Sequence, residues 1–216
     1  PWLFFNNLIH NQHPVNIGIW PFVVQEPAKR NSKNRQRGTL VTKPVEVTHE
    51  VYVRTITEKL IPAIKEKWPR GSKTMPIKSQ QDNARPHCSV DDEEVVRAGS
   101  ENGWNKKMIC QPLNSPDFNV LDLGFFNAIQ SLQHESPTNI DELIPTVYKA
   151  WDEMTVEKLD NVFITLQKCM ELTMLHKGGN DYKLPHMSKN KLRSQGTLLR
   201  KVTNLLNVSH KLISIN

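Results

Sequence analysis

The sequence predicts an α/β fold, and three observations carry that expectation. Short apolar or alternating runs trade places with helical periods as far as Cys110. After Pro116, three helical periods follow one another without a strand between them. Gly, Pro, Asn and Asp gather at the joins, where turns need them.

Taken in order, residues 1–16 show no period, carry Asn6, Asn7, Asn11 and Gln12, and are poorly determined by pattern. Ile17 to Val24 is apolar, β-branched and aromatic, which reads as a strand with Pro21 near an edge or bulge. A basic loop follows and turns at Arg37-Gly38, and Thr39 to Thr48 reads as a second strand. From His49, Val53, Ile56, Leu60, Ile64 and Trp68 recur at helical spacing, with a kink or restart expected at Pro62. Pro69-Arg70-Gly71-Ser72 ends that helix. Met75 to Gln81 is a short strand, although Lys78 and Ser79 are polar. The acids Asp91 to Glu94 suit the start of a helix that stops near Gly99. Lys107 to Cys110 is another strand, closed by Gln111-Pro112. Leu121, Phe125, Ile129 and Leu132 then mark one helix face. Thr138 to Asp141 resembles a capping box with Asp in the Glu position, opening a helix to Met154. Thr155 caps the next helix, which Gly178-Gly179-Asn180 terminates. Beyond it only Leu192 to Leu206 is weakly periodic. We therefore place one domain over 17–176 and a basic tail over 177–216.

Composition narrows the function classes. The 216 residues have a mean hydropathy of −0.52, low for a compact domain, so part of the chain is expected to be solvated. No apolar run approaches the roughly 20 residues needed to span a bilayer, and the first residues lack the pattern of a signal peptide. A start on Pro1 suggests a piece of a longer product. Cys88, Cys110 and Cys169 stand alone, which fits a reducing compartment and speaks against a zinc ribbon or a disulfide framework. Asn207-Val208-Ser209 matches a glycosylation sequon, and chance is the simpler explanation. The net charge of +6 and pI near 9.2 favour an anionic partner. Lys29, Arg30, Lys33, Arg35, Arg37 and Lys43 form a basic stretch with no acid among them, and no acid occurs from Tyr182 onward. A solvated surface and a phosphate-binding surface account for such runs equally well.

Two acids stand out. Asp82 ends the Met75–Gln81 strand, and Asp122 falls in the first turn of an amphipathic helix. Carboxylates brought from separate elements to one point are what a divalent cation such as magnesium or manganese requires. An Asp at a strand end is, by itself, more often a turn or cap residue.

The surrounding residues carry a specific resemblance. Gln80-Gln81-Asp82-Asn83-Ala84-Arg85-Pro86-His87 resembles the second-aspartate motif of Tc1/mariner-type transposases. Asn114-Ser115-Pro116-Asp117-Phe118-Asn119-Val120-Leu121-Asp122 resembles their third-acid motif. The 39 residues between Asp82 and Asp122, 83–121, match the spacing of the plant mariner-like branch, whose third acid is Asp. Ile17 to Phe22, Glu26 to Arg30, Leu123-Gly124-Phe125-Phe126, Ile129 to Leu132 and Gly179-Asn180-Asp181-Tyr182 resemble that branch too. The similarity covers about residues 15–190.

The resemblance implies an RNase H-like catalytic core, incomplete at its N-terminal strands and extended by C-terminal helices. It implies two-metal cleavage and transfer of DNA at terminal inverted repeats, with magnesium or manganese as cofactor and the nucleus as location. On it, Asp82 and Asp122 are metal-binding catalytic acids. Asn83 and His87 orient the turn or approach the DNA backbone, a purely structural contact being an equal alternative, while Lys29, Arg30, Lys33, Arg35 and Arg37 are, by their charge alone, the residues expected to contact DNA phosphates. Asp117 is expected to cap the helix that carries Asp122. DNA is the implied partner, a homodimer stays open, and neither a membrane nor a small-molecule substrate is implied.

The chain also departs from the family. The first aspartate of such a triad sits in an Asp-Glu-Lys-Trp-like motif. Before Asp82 the only acids are Glu26, Glu46, Glu50, Glu58 and Glu66, none in that context. The family's N-terminal helix-turn-helix domains have no counterpart here. Losing one metal carboxylate of three should cripple the chemistry, so no cleavage is expected from this chain alone. The competing reading is a non-catalytic DNA-binding or interaction module. A third expectation is that a sheet missing a central strand exposes edges and does not fold stably.

Overall fold

The computed structural model describes residues 2–10, 13–33, 35–68, 74–133 and 136–198, with side chains from Ile17 onward. The turn at Pro69 to Ser72, the Arg200, Lys201 and Lys211 part of the basic tail, and the sequon at Asn207 lie outside the described residues. So does the second half of the Leu192–Leu206 period.

The protein is mixed α/β, with three two-stranded sheets among the described residues. Strand β1 (Trp2–His10) pairs antiparallel with β2 (His13–Pro21), so residues without a readable period form a hairpin. The expected strand over Ile17–Val24 is divided. It leaves β2 at Pro21, turns the largely buried Phe22 inward, and resumes as β3 (Val23–Pro27) in a different sheet. Proline cannot donate to the ladder, which is why the change of sheet falls there. β3 pairs antiparallel with β4 (Leu40–Pro44), in a register from Val23 opposite Pro44 to Pro27 opposite Leu40.

Thr48 ends the extended segment, and its hydroxyl accepts from the Val51 N–H at 3.3 Å. This caps α1 (His49–Thr55), which runs through a π turn at Ile56–Leu60 into α2 (Ile61–Lys67). The π turn is how the helix accepts Pro62. With no N–H to offer, Pro62 leaves a gap in the i−4 ladder, and the Ile61 N–H reaches back to Ile56 instead. The expected kink is thus a widened turn. Ile56, Leu60 and Ile64 lose essentially all exposure against Ile17, Ile77 and Met108.

β5 (Ile77–Gln81) and β6 (Lys106–Cys110) pair in parallel, with α3 (Glu93–Ser100) between them in the chain. Parallel neighbours need such a crossover. Asp92 caps α3 by accepting from the Val95 N–H at 3.1 Å. Ile77, Ser79 and Gln81 point inward while Lys78 and Gln80 stay exposed, so the polar pair Lys78-Ser79 does not interrupt the strand.

By the density of contacts the chain divides into two units. One holds the described residues up to Gln111 together with Gln133–Asp152; the other holds Pro112–Leu132 and the described residues from Glu153. The span 17–176 is distributed over both. α5 (Ile140–Asp152) belongs to the first unit and buries Val147, Ala150 and Trp151. Its capping box is one residue later than expected. Asn139 accepts from the Glu142 N–H at 3.0 Å, and Glu142 reaches back to the Thr138 N–H at 2.8 Å. Those bonds, Thr138 first, hold the Glu142 carboxyl below the usual range.

In the second unit, a π turn at Leu121–Phe125 leads into α4 (Phe126–Ser131). α6 (Val156–Leu175) is capped by Thr155, as its sequence predicts. It ends with Lys177 in the left-handed region at φ 55° and the Gly178 N–H bonded to Thr173 at 2.8 Å. A short α7 (Lys189–Ser194) follows. Here the basic tail is partly neutralised: Arg193 meets Glu157 at 3.1 Å and Asp160 at 3.7 Å.

Candidate functional site

Asp82 follows directly on the last residue of β5, and the turn it opens is fastened from both ends. Upstream, the Gln81 side chain is buried, accepts from the Tyr52 hydroxyl at 3.2 Å and donates to the Cys88 carbonyl. One buried amide thereby ties the start of the turn to its end. Inside the turn, Asp82 Oδ1 accepts from the Ala84 N–H at 2.8 Å, and the His87 N–H bonds the Ala84 carbonyl at 2.9 Å. Sideways, Asn83 donates to the Gln111 carbonyl at 2.9 Å, while the Gln111 N–H continues the parallel ladder to Gln81 at 2.8 Å. The acid thus sits at the carboxyl end of a parallel strand pair, a common place for ligand chemistry in α/β proteins.

His87 completes the cluster. Its Nδ1 lies 2.8 Å from Asp82 Oδ1 and 3.0 Å from the Asp82 carbonyl, and its ring stacks on Tyr52 at 4.2 Å and 23°. Burial pushes the Tyr52 hydroxyl well above its ordinary range, and the neighbouring Cys88 and Asp82 charges push it further. Asp82 itself stays open, with 46% of its side chain exposed against 20% for His87. Its second oxygen, Oδ2, takes no hydrogen bond among the described residues.

Asp122 belongs to the second unit. It is exposed, and its Oδ2 accepts from Asn119 Nδ2 at 2.8 Å. The expected role of Asp117 is corrected here. Pro116 starts a single 3₁₀ turn, Pro116–Phe118, so Asp117 lies one turn too early to cap the helix. Asn119 does that work, its Oδ1 accepting from the Leu121 N–H at 3.0 Å. Asp117 instead accepts from the Tyr182 hydroxyl at 3.2 Å, and Tyr182 in turn accepts from Thr173 on α6 at 3.2 Å. The Gly179 to Tyr182 stretch therefore anchors the turn that leads to Asp122. Gly124 brings that helix close to α6, since a Cβ on it would stand 3.2 Å from Val162.

The basic residues Lys29, Arg30, Lys33, Arg35 and Arg37 are all exposed on the connection between β3 and β4. The connection has structure of its own. Ala28 and Thr39 extend the ladder at 2.8 Å, Ser32 and Arg35 bridge, and Asn31 Oδ1 accepts from the Arg37 N–H at 2.6 Å. Lys43 is set apart from the group, because it pairs with Glu26 across the ribbon at 2.7 Å and holds that carboxyl below its usual range. The stretch without acids in sequence thus has one beside it in space.

The donor chemistry at both acids suits magnesium or manganese, which bind hard, accessible oxygens and take further ligands from water or phosphate. The count is short, however. Among the described residues, no three His, Cys, Asp or Glu side chains gather where they could hold a metal ion. Sequence reasoning missed Gln81 as the clamp of the Asp82 turn and Asn119 as the tether of Asp122. The second was open to it, since Asn two residues before a helical run is a cap signal. No family model, no curated protein and no solved structure matches the chain.

Proposed function

We propose that this chain is a transposase core of the mariner type that carries two of the three metal-binding acids and does not cut DNA by itself. On this reading the parallel β5–α3–β6 unit belongs to an RNase H-like sheet. Asp82 and Asp122 are the acids that bind magnesium or manganese, which would stabilise charge on a phosphate being cleaved. The observation that carries the reading is Asp82 itself: a half-exposed carboxylate at the end of a parallel strand, with one oxygen tied down and the other open. The resemblance of the residues around it supplies the family.

The reading makes a two-part statement for experiment. Purified protein incubated with supercoiled plasmid and magnesium or manganese should produce no nicking above the Asp82→Ala control. Nicking that disappears in Asp82→Ala would overturn the claim of inactivity.

A second reading, a non-catalytic DNA-binding module, is favoured by the exposed basic connection between β3 and β4. A two-stranded ribbon with Lys and Arg at its tip contacts phosphates without reading sequence. Binding to random duplex should then weaken steeply with salt and should persist in Asp82→Ala. The two readings share the DNA partner and differ in whether the acids bind metal.

A further inference from the structure

We propose that Ser32 is a phosphorylation site for a serine/threonine kinase that selects basic residues. The added phosphate pairs with Arg35 and weakens nucleic-acid binding at the tip of the β3–β4 ribbon. This rests on the second reading above, in which that tip contacts phosphates.

The chain supplies the recognition pattern and presents it. Lys29 and Arg30 stand three and two positions before Ser32, with Lys33 directly after it. Kinases discriminate among substrates by charge patterns of this kind. Ser32 is exposed, and its hydroxyl takes no hydrogen bond among the described residues. Residues 29–31 lie in neither helix nor strand, so a kinase cleft can draw the segment straight. In the transfer, Ser32 Oγ bonds the γ-phosphorus of ATP, the bond from that phosphorus to the bridging oxygen breaks, and ADP leaves. The hydroxyl proton passes to the catalytic aspartate of the kinase. The same pattern of two basic residues recurs at Arg200-Lys201-Val202-Thr203, outside the described residues.

The backbone decides which cation the phosphate meets. Ser32 and Arg35 exchange both of their backbone hydrogen bonds, at 2.8 and 3.2 Å. Residues paired in this way stand directly opposite, with side chains on one face and Cβ atoms about 5 Å apart. A phosphate on Ser32 therefore reaches the Arg35 guanidinium with the pairing intact, and the planar fork binds it through two N–H groups. The phosphate brings a charge of about −1.5 to −2 at pH 7. Around it stand five exposed cations, Lys29, Arg30, Lys33, Arg35 and Arg37. Glu26, whose carboxyl also feels Lys29, is already taken by Lys43 at 2.7 Å. The charge of those five side chains thus drops by about 2, and Arg35 is withdrawn from any outside phosphate.

Modification and its effect are read separately. The full chain is incubated with ATP and the catalytic subunit of cyclic-AMP-dependent kinase, which has this preference, and is mapped by mass spectrometry. Phosphate on Ser32 is expected; its absence would overturn the proposal and leave the nucleic-acid reading standing. Anisotropy titration with random duplex DNA should then show binding about tenfold weaker at physiological salt, and a log–log salt slope smaller by about 2. Ser32→Ala given the same treatment should bind as the untreated chain does, which sets aside any phosphate on Thr203. Duplex affinity that Ser32 phosphate leaves unchanged would refute the proposal. An untreated chain whose duplex binding ignores salt would refute the reading beneath it, and the proposal with it. Phosphorus NMR adds a check free of DNA. The phosphoserine pKa should lie below its ordinary value of about 6 and move back toward it in Arg35→Gln. Equal values in the two chains would contradict the pairing with Arg35 and sink the proposal.

Discussion

Lys106 opens β6 with 7% of its surface exposed, and its ammonium rests against the Met108 sulfur at 3.2 Å rather than against a carboxylate. Burial lowers its pKa from the ordinary 10.5 to about 8, opposed only by the nearby Cys88. That gap corresponds to about 3 kcal/mol, at about 1.4 kcal/mol per pH unit. The folded protein releases the proton near pH 8, whereas the unfolded chain keeps it to about pH 10.5. Between those values the unfolded chain binds more protons, so this group's contribution to stability rises with pH. Below pH 8 the full penalty is present. Lys106→Met preserves the aliphatic stem and removes the charge. It should therefore stabilise the protein at pH 7 by up to about 3 kcal/mol, with the advantage shrinking between pH 8 and 10.5. Urea denaturation of both proteins across that range measures the difference directly. The difference is the informative quantity, because burial also pushes the Cys88 and Tyr52 pKa values up, and those groups lose stability as pH rises. A gap between variant and wild type that stays constant from pH 7 to 10 would refute the reasoning.

Other consequences are local and separable. Replacing Arg35 and Arg37 together by Gln should reduce the slope of log affinity against log salt for duplex DNA by about 2, as expected for two lost phosphate contacts. An unchanged slope in an anisotropy titration would remove the hairpin from the interface. Asn119→Ala deletes both the cap on Leu121 and the tether on Asp122, and should cost about 1 kcal/mol in a denaturant melt. Lys177 holds a left-handed conformation that glycine adopts without strain, so Lys177→Gly should raise stability by about 0.5–1 kcal/mol.

Where structure is decided locally, the sequence was a good guide. The acids at the start of α3, the Thr155 cap and the stop after α6 each depend on a few consecutive residues that satisfy free backbone groups or suit the helix dipole. Even there the register slipped by one at Asn139, because Thr138 and Asn139 are both good caps and only the position of Glu142 decides between them. Pairing between distant strands was not legible. Nothing in Ile77–Gln81 states that it lies beside Lys106–Cys110, and an apolar run such as Ile17–Val24 does not show that it is shared between two sheets. The same limit applies to the candidate site. Asp82 was visible from its motif, but the contacts that hold it, Tyr52 to Gln81 and Asn83 to Gln111, join residues 29 and 28 positions apart. Lys106 was hidden for a similar reason, since its burial depends on what packs around the start of β6 rather than on its neighbours in sequence.

The central claim is that Asp82 and Asp122 are metal-binding acids, and manganese binding tests it most directly. Titration of the full chain by electron paramagnetic resonance should reveal bound manganese that declines at least tenfold in affinity in Asp82→Ala and likewise in Asp122→Ala, while Asp117→Ala binds as wild type does. Manganese binding that is unchanged in both Asp82→Ala and Asp122→Ala would contradict the account.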